Sequence, residues 1–319
     1  MKTLDDLRRF YNTALSADLN ALEAKRKAIM QKLTYIGVAI AILVIITLLF
    51  VLQQVGSFFP ATLFPLIGAI VLFAFIANLL SKGYVREFKN TIIQKIVKFI
   101  DENLNYVPHR CISKSVFMAS EIFKTRPNRY KGDDYVSGKV GATQTEFSEL
   151  HAEYESGSGK NRSRRTVFKG LFFIADFNKH FTCKAIVLPD TAEKLFGSFG
   201  KMFQSWNVLR GRLIKLEDPE FEKFFVVYGD DQIQARYILS TSLMARIVDF
   251  KKKTSRPIYL SFVGSRVFVA VSYTKNLFEP RLFRTILHFE LVREYFEDLQ
   301  LAIGIVDDLN LNTRIWTKQ

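Results

Sequence analysis

The sequence predicts an α+β protein: an N-terminal two-helix transmembrane hairpin with a helical stalk, then an antiparallel β-rich cytoplasmic domain with a C-terminal helix. Three observations predict it. Residues 33–81 hold no Asp, Glu, Lys or Arg, a run of 49 positions between Lys32 and Lys82. Beyond about residue 130 the apolar period shortens toward two, in segments separated by glycine and polar turns. Near the end Val292, Tyr295, Leu299, Ile303 and Val306 return to helical spacing.

Taken in order, Leu4, Leu7, Tyr11, Leu15, Leu19, Leu22, Ile29 and Leu33 fall mostly three or four apart, which makes residues 1–33 an amphipathic cytoplasmic helix. The charge-free run cannot be one helix. It would extend about 73 Å, against a hydrocarbon core of about 30 Å. Gly56, Ser57 and Pro60 place the break, giving spans 34–55 and 61–81 within a hairpin of 34–81. Pro65 falls in the first turn of the second span, where a missing N–H matters least. The rival is a helical hairpin buried in a soluble core, but such helices rarely run this long without a charge. A cleaved signal peptide is disfavoured because the apolar run starts behind about thirty residues of charged helical pattern.

Lys25, Arg26, Lys27 and Lys32 precede the spans, and Lys82, Arg86 and Lys89 follow them. The positive-inside rule then puts both flanks, and with them both termini, on the cytoplasmic side of the membrane and the connecting turn outside. Cys111 and Cys183 form no metal spacing and read as reduced thiols. Val85, Phe88, Ile92, Ile96 and Phe99 extend an apolar stripe through a stalk over 82–104. That stripe must be covered by the first helix, by the domain or by a second copy, so a homo-oligomer is expected. The alternative, an N-terminal helix lying on anionic lipid, is opposed by Asp5, Asp6, Asp18 and Glu23.

The cytoplasmic domain is 105–319. A helix is expected over Ile112–Lys124, then strands at Tyr135–Val140, Thr143–Glu155, Thr166–Phe177 and Phe181–Pro189. Two short strands follow in RLIKLE and FFVVY, then helices over Gln232–Leu239 and Leu243–Lys252, and a strand pair in Pro257–Tyr273. Seven or eight antiparallel strands with a terminal helix admit a small barrel of the pleckstrin-homology-like kind.

Against a net charge of +14, Leu216–Gln232 carries six carboxylates: Glu217, Asp218, Glu220, Glu222, Asp230 and Asp231. Helix starts account for most of them, against an acidic docking face or a metal or catalytic site as the rival readings. Asp218 caps, Pro219 takes the first helical position, and Glu220 and Glu222 meet the positive end of the dipole. Asp230 or Asp231 caps the next helix, and Ser240–Ser242 the third. No calcium-loop spacing accompanies them.

Catalytic and cofactor signals are weak. GSGK at Gly157–Lys160 lacks the glycine a phosphate loop needs at Tyr154 and the Ser or Thr it needs at Asn161. The four histidines are scattered without zinc spacing, and there is no serine elbow. The sequence therefore implies no catalytic residue, cofactor or metal. A non-enzymatic membrane-anchored module is the favoured reading, and a membrane-tethered enzyme with an unreadable site is the alternative.

The basic segments are more informative. Lys160, Arg162, Arg164 and Arg165, with Lys169 beside them, form the candidate site for anionic lipid headgroups or a protein partner. Arg110, Lys114, Lys124, Arg126, Arg129 and Lys131 form a second basic stretch. Neither carries a recognition helix or stacking signature for nucleic acid.

Val167–Phe181, Leu216–Leu239 and Tyr295–Trp316 together resemble domain-of-unknown-function family 3137 of bacterial membrane proteins, over about residues 80–318 and the two-span N-terminus. The resemblance implies an inner-membrane protein with a cytoplasmic α+β domain. It implies no reaction and no catalytic residue.

Overall fold

Thr3 starts the first helix with a reciprocal cap. Its Oγ1 accepts the Asp6 N–H at 3.2 Å, and the Asp6 carboxylate accepts the Thr3 N–H at 2.9 Å. Helix α1 (Leu4–Phe10) passes through a π-helical turn, Tyr11–Leu15, into α2 (Ser16–Val55). Helix α3 (Leu63–Phe88) passes through another, Lys89–Ile93, into α4 (Gln94–Ile100). The computed structural model describes residues 2–55, 63–177, 181–190 and 211–312. The expected turn at Gly56, Ser57 and Pro60, the Asn178–His180 loop and the last residues of the Tyr295–Trp316 stretch lie outside them.

Two helical stretches, Leu4–Val51 and Leu63–Ile100, are long and apolar enough to cross a membrane, with mean hydropathies of 2.8 and 2.5 in their most apolar windows. Those windows are 6% and 0% buried. Helices in a soluble core would bury them.

The chain divides into two compact units, Met1–Ile96 with Phe278–Tyr295, and Val97–Leu277 with Phe296–Gln319. In the first, Leu7, Leu15, Leu19, Leu22 and Leu33 are buried, as are Phe88, Ile92, Ile93 and Ile96. These are the two apolar stripes. Lys25–Glu87 at 2.5 Å and the Lys95–Asp18 pair tie the helices along the same seam. Phe278–Tyr295, whose sequence shows no boundary, also belongs to this unit.

The second unit is built on one antiparallel sheet. Its strands are β1 (Asn105–Val107), β2 (Arg129–Val140), β3 (Thr143–Ser156), β4 (Ser163–Asp176), β5 (Ala185–Pro189), β6 (Arg212–Ile214), β7 (Phe225–Gly229), β8 (Ile258–Val263) and β9 (Arg266–Ser272). The order is β1-β2-β3-β4-β9-β8-β5-β7-β6. No pairing joins β1 to β6, so the barrel that the strand count admits is not closed among the described strands. The other described α-helices are α5 (Lys114–Ala119), α6 (Pro219–Glu222), α7 (Gln232–Ile238), α8 (Thr241–Thr254) and α9 (Phe289–Asp308). The predicted stripe Val292, Tyr295, Leu299, Ile303 and Val306 on α9 is buried throughout.

From Phe168 to Ala175 every residue of β4 but Lys169 is buried, so both faces of the central sheet are covered. One core joins Ile112, Phe117 and Ile122 to Leu150, Phe168, Phe172 and Phe268. Strand β2 starts six residues before the expected Tyr135. Its first half, RYKGDD, has Tyr130 as its one β-former, but it pairs with β3 from Arg129 and bulges between Asp133 and Val136. Gly132 is needed there, because a Cβ would lie 2.2 Å from the Glu149 carbonyl oxygen.

Two of the three expected helix starts are capped by the acids, at Asp218 and Asp231, and the third, at Ser240, is not capped by its side chain. Asp218 Oδ1 accepts the Glu220 and Phe221 N–H groups at 3.1 and 3.0 Å, and Asp231 Oδ1 those of Ile233 and Gln234 at 2.8 and 3.0 Å. Ser240 precedes α8 in extended conformation, but its hydroxyl makes no cap bond; it lies 3.2 Å from the Ser242 hydroxyl.

Candidate functional site

Strands β2, β3 and β4 are long enough to carry their polar ends past the apolar core, and register decides which side chains meet there. Arg129 lies opposite Glu153, and Lys131 opposite His151. His151 lies opposite Lys169, and Glu155 opposite Arg164. Directly opposed residues share a face. Arg129 and Lys131 of one basic stretch thus share a face with Arg164 and Lys169 of the other.

Glu155 is its centre, with a side chain 12% exposed. Its carboxylate meets Arg162 Nε at 2.5 Å, Arg129 Nη1 at 2.9 Å and Arg164 Nη2 at 3.1 Å. The Asn128 side chain holds the Glu155 backbone on both sides, accepting its N–H at 2.8 Å and donating to its carbonyl at 2.6 Å. Three guanidinium groups on one carboxylate leave a local excess of positive charge. Burial pushes the His151 pKa down; Glu153 at 3.6 Å opposes that shift, and Lys131, Lys169 and Arg164 add smaller downward effects.

Of the four residues singled out by sequence, Arg162 and Arg164 are brought together. Arg165 is not. It pairs in register with Tyr154, on the opposite face, and donates to Thr125 Oγ1 at 3.1 Å. Lys160 closes the turn before β4, and its side chain lies outside the described residues. Sequence reading missed Glu155 as the organising group and Arg129 as its partner. The signal was a carboxylate one turn away from a basic loop, legible only once β2 is paired with β3.

Two other arrangements hold polar chemistry. Carboxylate oxygens of Asp133, Asp134 and Glu149 lie within 4.8 Å of one another, Asp134 and Glu149 being buried. Such oxygens suit a divalent cation. In this fold they bind protein donors: Tyr106 donates its phenol to Asp134, and Leu277 its N–H to Glu149 at 2.6 Å. Burial, then the Asp134 charge, pushes the Tyr106 phenol far up, so it stays a donor. A polar pocket of about 240 Å³ lies over the other end of the strands, lined by Tyr135, Gln144, Glu146, Asp176 and Arg266. Tyr135 donates to Glu146 at 2.6 Å inside it. Its volume falls below the roughly 300 Å³ from which ordinary ligand sites begin.

Residues 166–311 match the family model described as "Protein of unknown function (DUF3137)". The match contains the first two stretches that carried the resemblance and most of the third, within the wider 80–318. No curated protein matches. Among solved structures, the chain has 10% identity to the "crystal structure of the mycobacterial trehalose monomycolate transport factor A, TtfA", covering 69% of this chain and 96% of that one. The TM-score is 0.33, too low for the likeness to decide anything about fold or function.

Proposed function

We propose that this chain is a non-enzymatic binding module anchored in the bacterial inner membrane by two spans, both termini cytoplasmic. The cationic end of β2–β3–β4 docks on anionic lipid headgroups. The observation that carries the reading is the convergence of Arg129, Arg162 and Arg164 on Glu155. Guanidinium forks match phosphate as well as carboxylate, and a basic residue near an anionic leaflet contributes roughly 1 kcal/mol. Lys131 and Lys169 widen the same field.

The test uses the full chain in nanodiscs, with Cys111 and Cys183 replaced and one fluorophore at S158C. Headgroup-nitroxide lipid should quench it in anionic discs and less in neutral ones, and quenching should fall as salt rises. R129Q/R162Q/R164Q should remove most of it. Equal quenching in neutral discs, or no effect of the triple variant, refutes headgroup docking and leaves an acidic protein partner as the ligand of the module.

A further inference from the structure

The segment after β9 climbs the first helix of its own unit. Phe289 meets the Tyr11 ring edge-on at 5.6 Å and lies under the Arg8 guanidinium at 5.2 Å. The Leu287 carbonyl accepts from the Tyr11 phenol at 2.5 Å. Ile286 donates its N–H to Glu23 at 3.2 Å, and the Leu282 carbonyl accepts from Arg26 at 2.9 Å. Residue numbers fall along the segment as they rise along the helix, so the Leu282 end of the segment lies nearer the charge-free span than the Phe289 end. Glu23 and Arg26, paired at 2.7 Å with side chains 5% and 11% exposed, lock its upper end.

The height of that end can be counted. Arg26 precedes Lys32 by six residues, about 9 Å of helix. On α3, Glu87 pairs with Lys25 and follows Lys82 by five residues, about 7.5 Å. Both rulers put the level near the outer edge of a headgroup zone about 5–8 Å thick. A turn closes there, with Arg284 N–H on the Arg281 carbonyl at 3.3 Å. Inside that turn Phe283 is 69% exposed, between exposed Arg281 and Arg284. An exposed aromatic ring between two arginines, at this level, suits a bilayer interface.

We propose that Phe278–His288 is a membrane-interface anchor, in which Phe283 enters the headgroup–acyl boundary and Arg281 and Arg284 take the phosphates of anionic phospholipid. The proposal rests on the two-span reading above and is independent of the β2–β3–β4 surface. Arg281 also pairs with Glu294 at 2.7 Å, so Arg284 carries the larger share of the phosphate contact.

The experiment places one fluorophore on the full chain, lacking Cys111 and Cys183, in anionic nanodiscs. The sites are F283C, I42C within the first span and N12C far down the stalk. Lipid bearing a nitroxide near the top of its acyl chain should quench F283C and I42C but not N12C. With the label moved to L282C, so that Phe283 is kept, R284Q should lower the lipid-contacting share about fivefold, and R281Q by less. Quenching of I42C with none of F283C overturns the anchor and spares the spans. Failure at I42C overturns both.

Discussion

At the scale of single residues, Glu155 carries the sharpest prediction. It neutralises part of a surface that Arg129, Arg162 and Arg164 make positive. E155Q keeps shape and acceptor capacity but removes the charge. Headgroup quenching at S158C should therefore strengthen, by about fivefold in the docked fraction; weakening would mean that Glu155 serves to position the arginines rather than to offset their charge. Asp218 tests the capping account. Its Oδ1 serves two N–H groups of α6. D218N should be nearly silent, and D218A should cost about 0.5–2 kcal/mol in thermal unfolding.

At the scale of elements, strand β4 depends on Gly170. Its φ is +145°, and a Cβ would lie 2.2 Å from the Val271 carbonyl oxygen of β9. G170A must push the two strands apart, so a cost of about 1–3 kcal/mol or more is expected, visible as a lower thermal midpoint of the purified protein. In the stalk, Glu23 and Arg26 are paired in a buried site and also hold Ile286 and Leu282. Removing one partner strands a buried charge, costing about 3–5 kcal/mol. In a double-mutant cycle of E23Q and R26M, a coupling of about 1 kcal/mol or more is expected. Additive effects would show that the pair is structurally idle.

For the whole molecule, the first unit is made of residues far apart in the chain. Phe278, Ile286, Val292 and Tyr295 are buried within a unit that otherwise consists of 1–96. A fragment starting at Asn105 loses those partners and exposes these side chains. It should bind a hydrophobic dye and aggregate, whereas the full chain in detergent should remain monodisperse. Topology has its own check on intact cells. An impermeant thiol reagent should label S57C and spare S158C once Cys111 and Cys183 are replaced; the reverse pattern would overturn the cytoplasmic assignment of the domain.

Local rules determined much of this protein. The charge-free run, the helical stripe ending in Val306 and the caps at Asp218 and Asp231 follow from periodicity, desolvation cost and unpaired N–H groups, all of which act within a few residues. Tertiary structure decided what depends on pairing distant segments. The polar start of β2 is a strand only because β3 offers it a ladder. The sheet is not closed among the described strands because no pairing joins β1 to β6. Arg129 reaches Glu155 through a register that spans 26 residues, and Phe283 acquires its level from hydrogen bonds to a helix more than 250 residues earlier. Burial and long-range hydrogen bonding set these outcomes, and no window of neighbouring residues contains them.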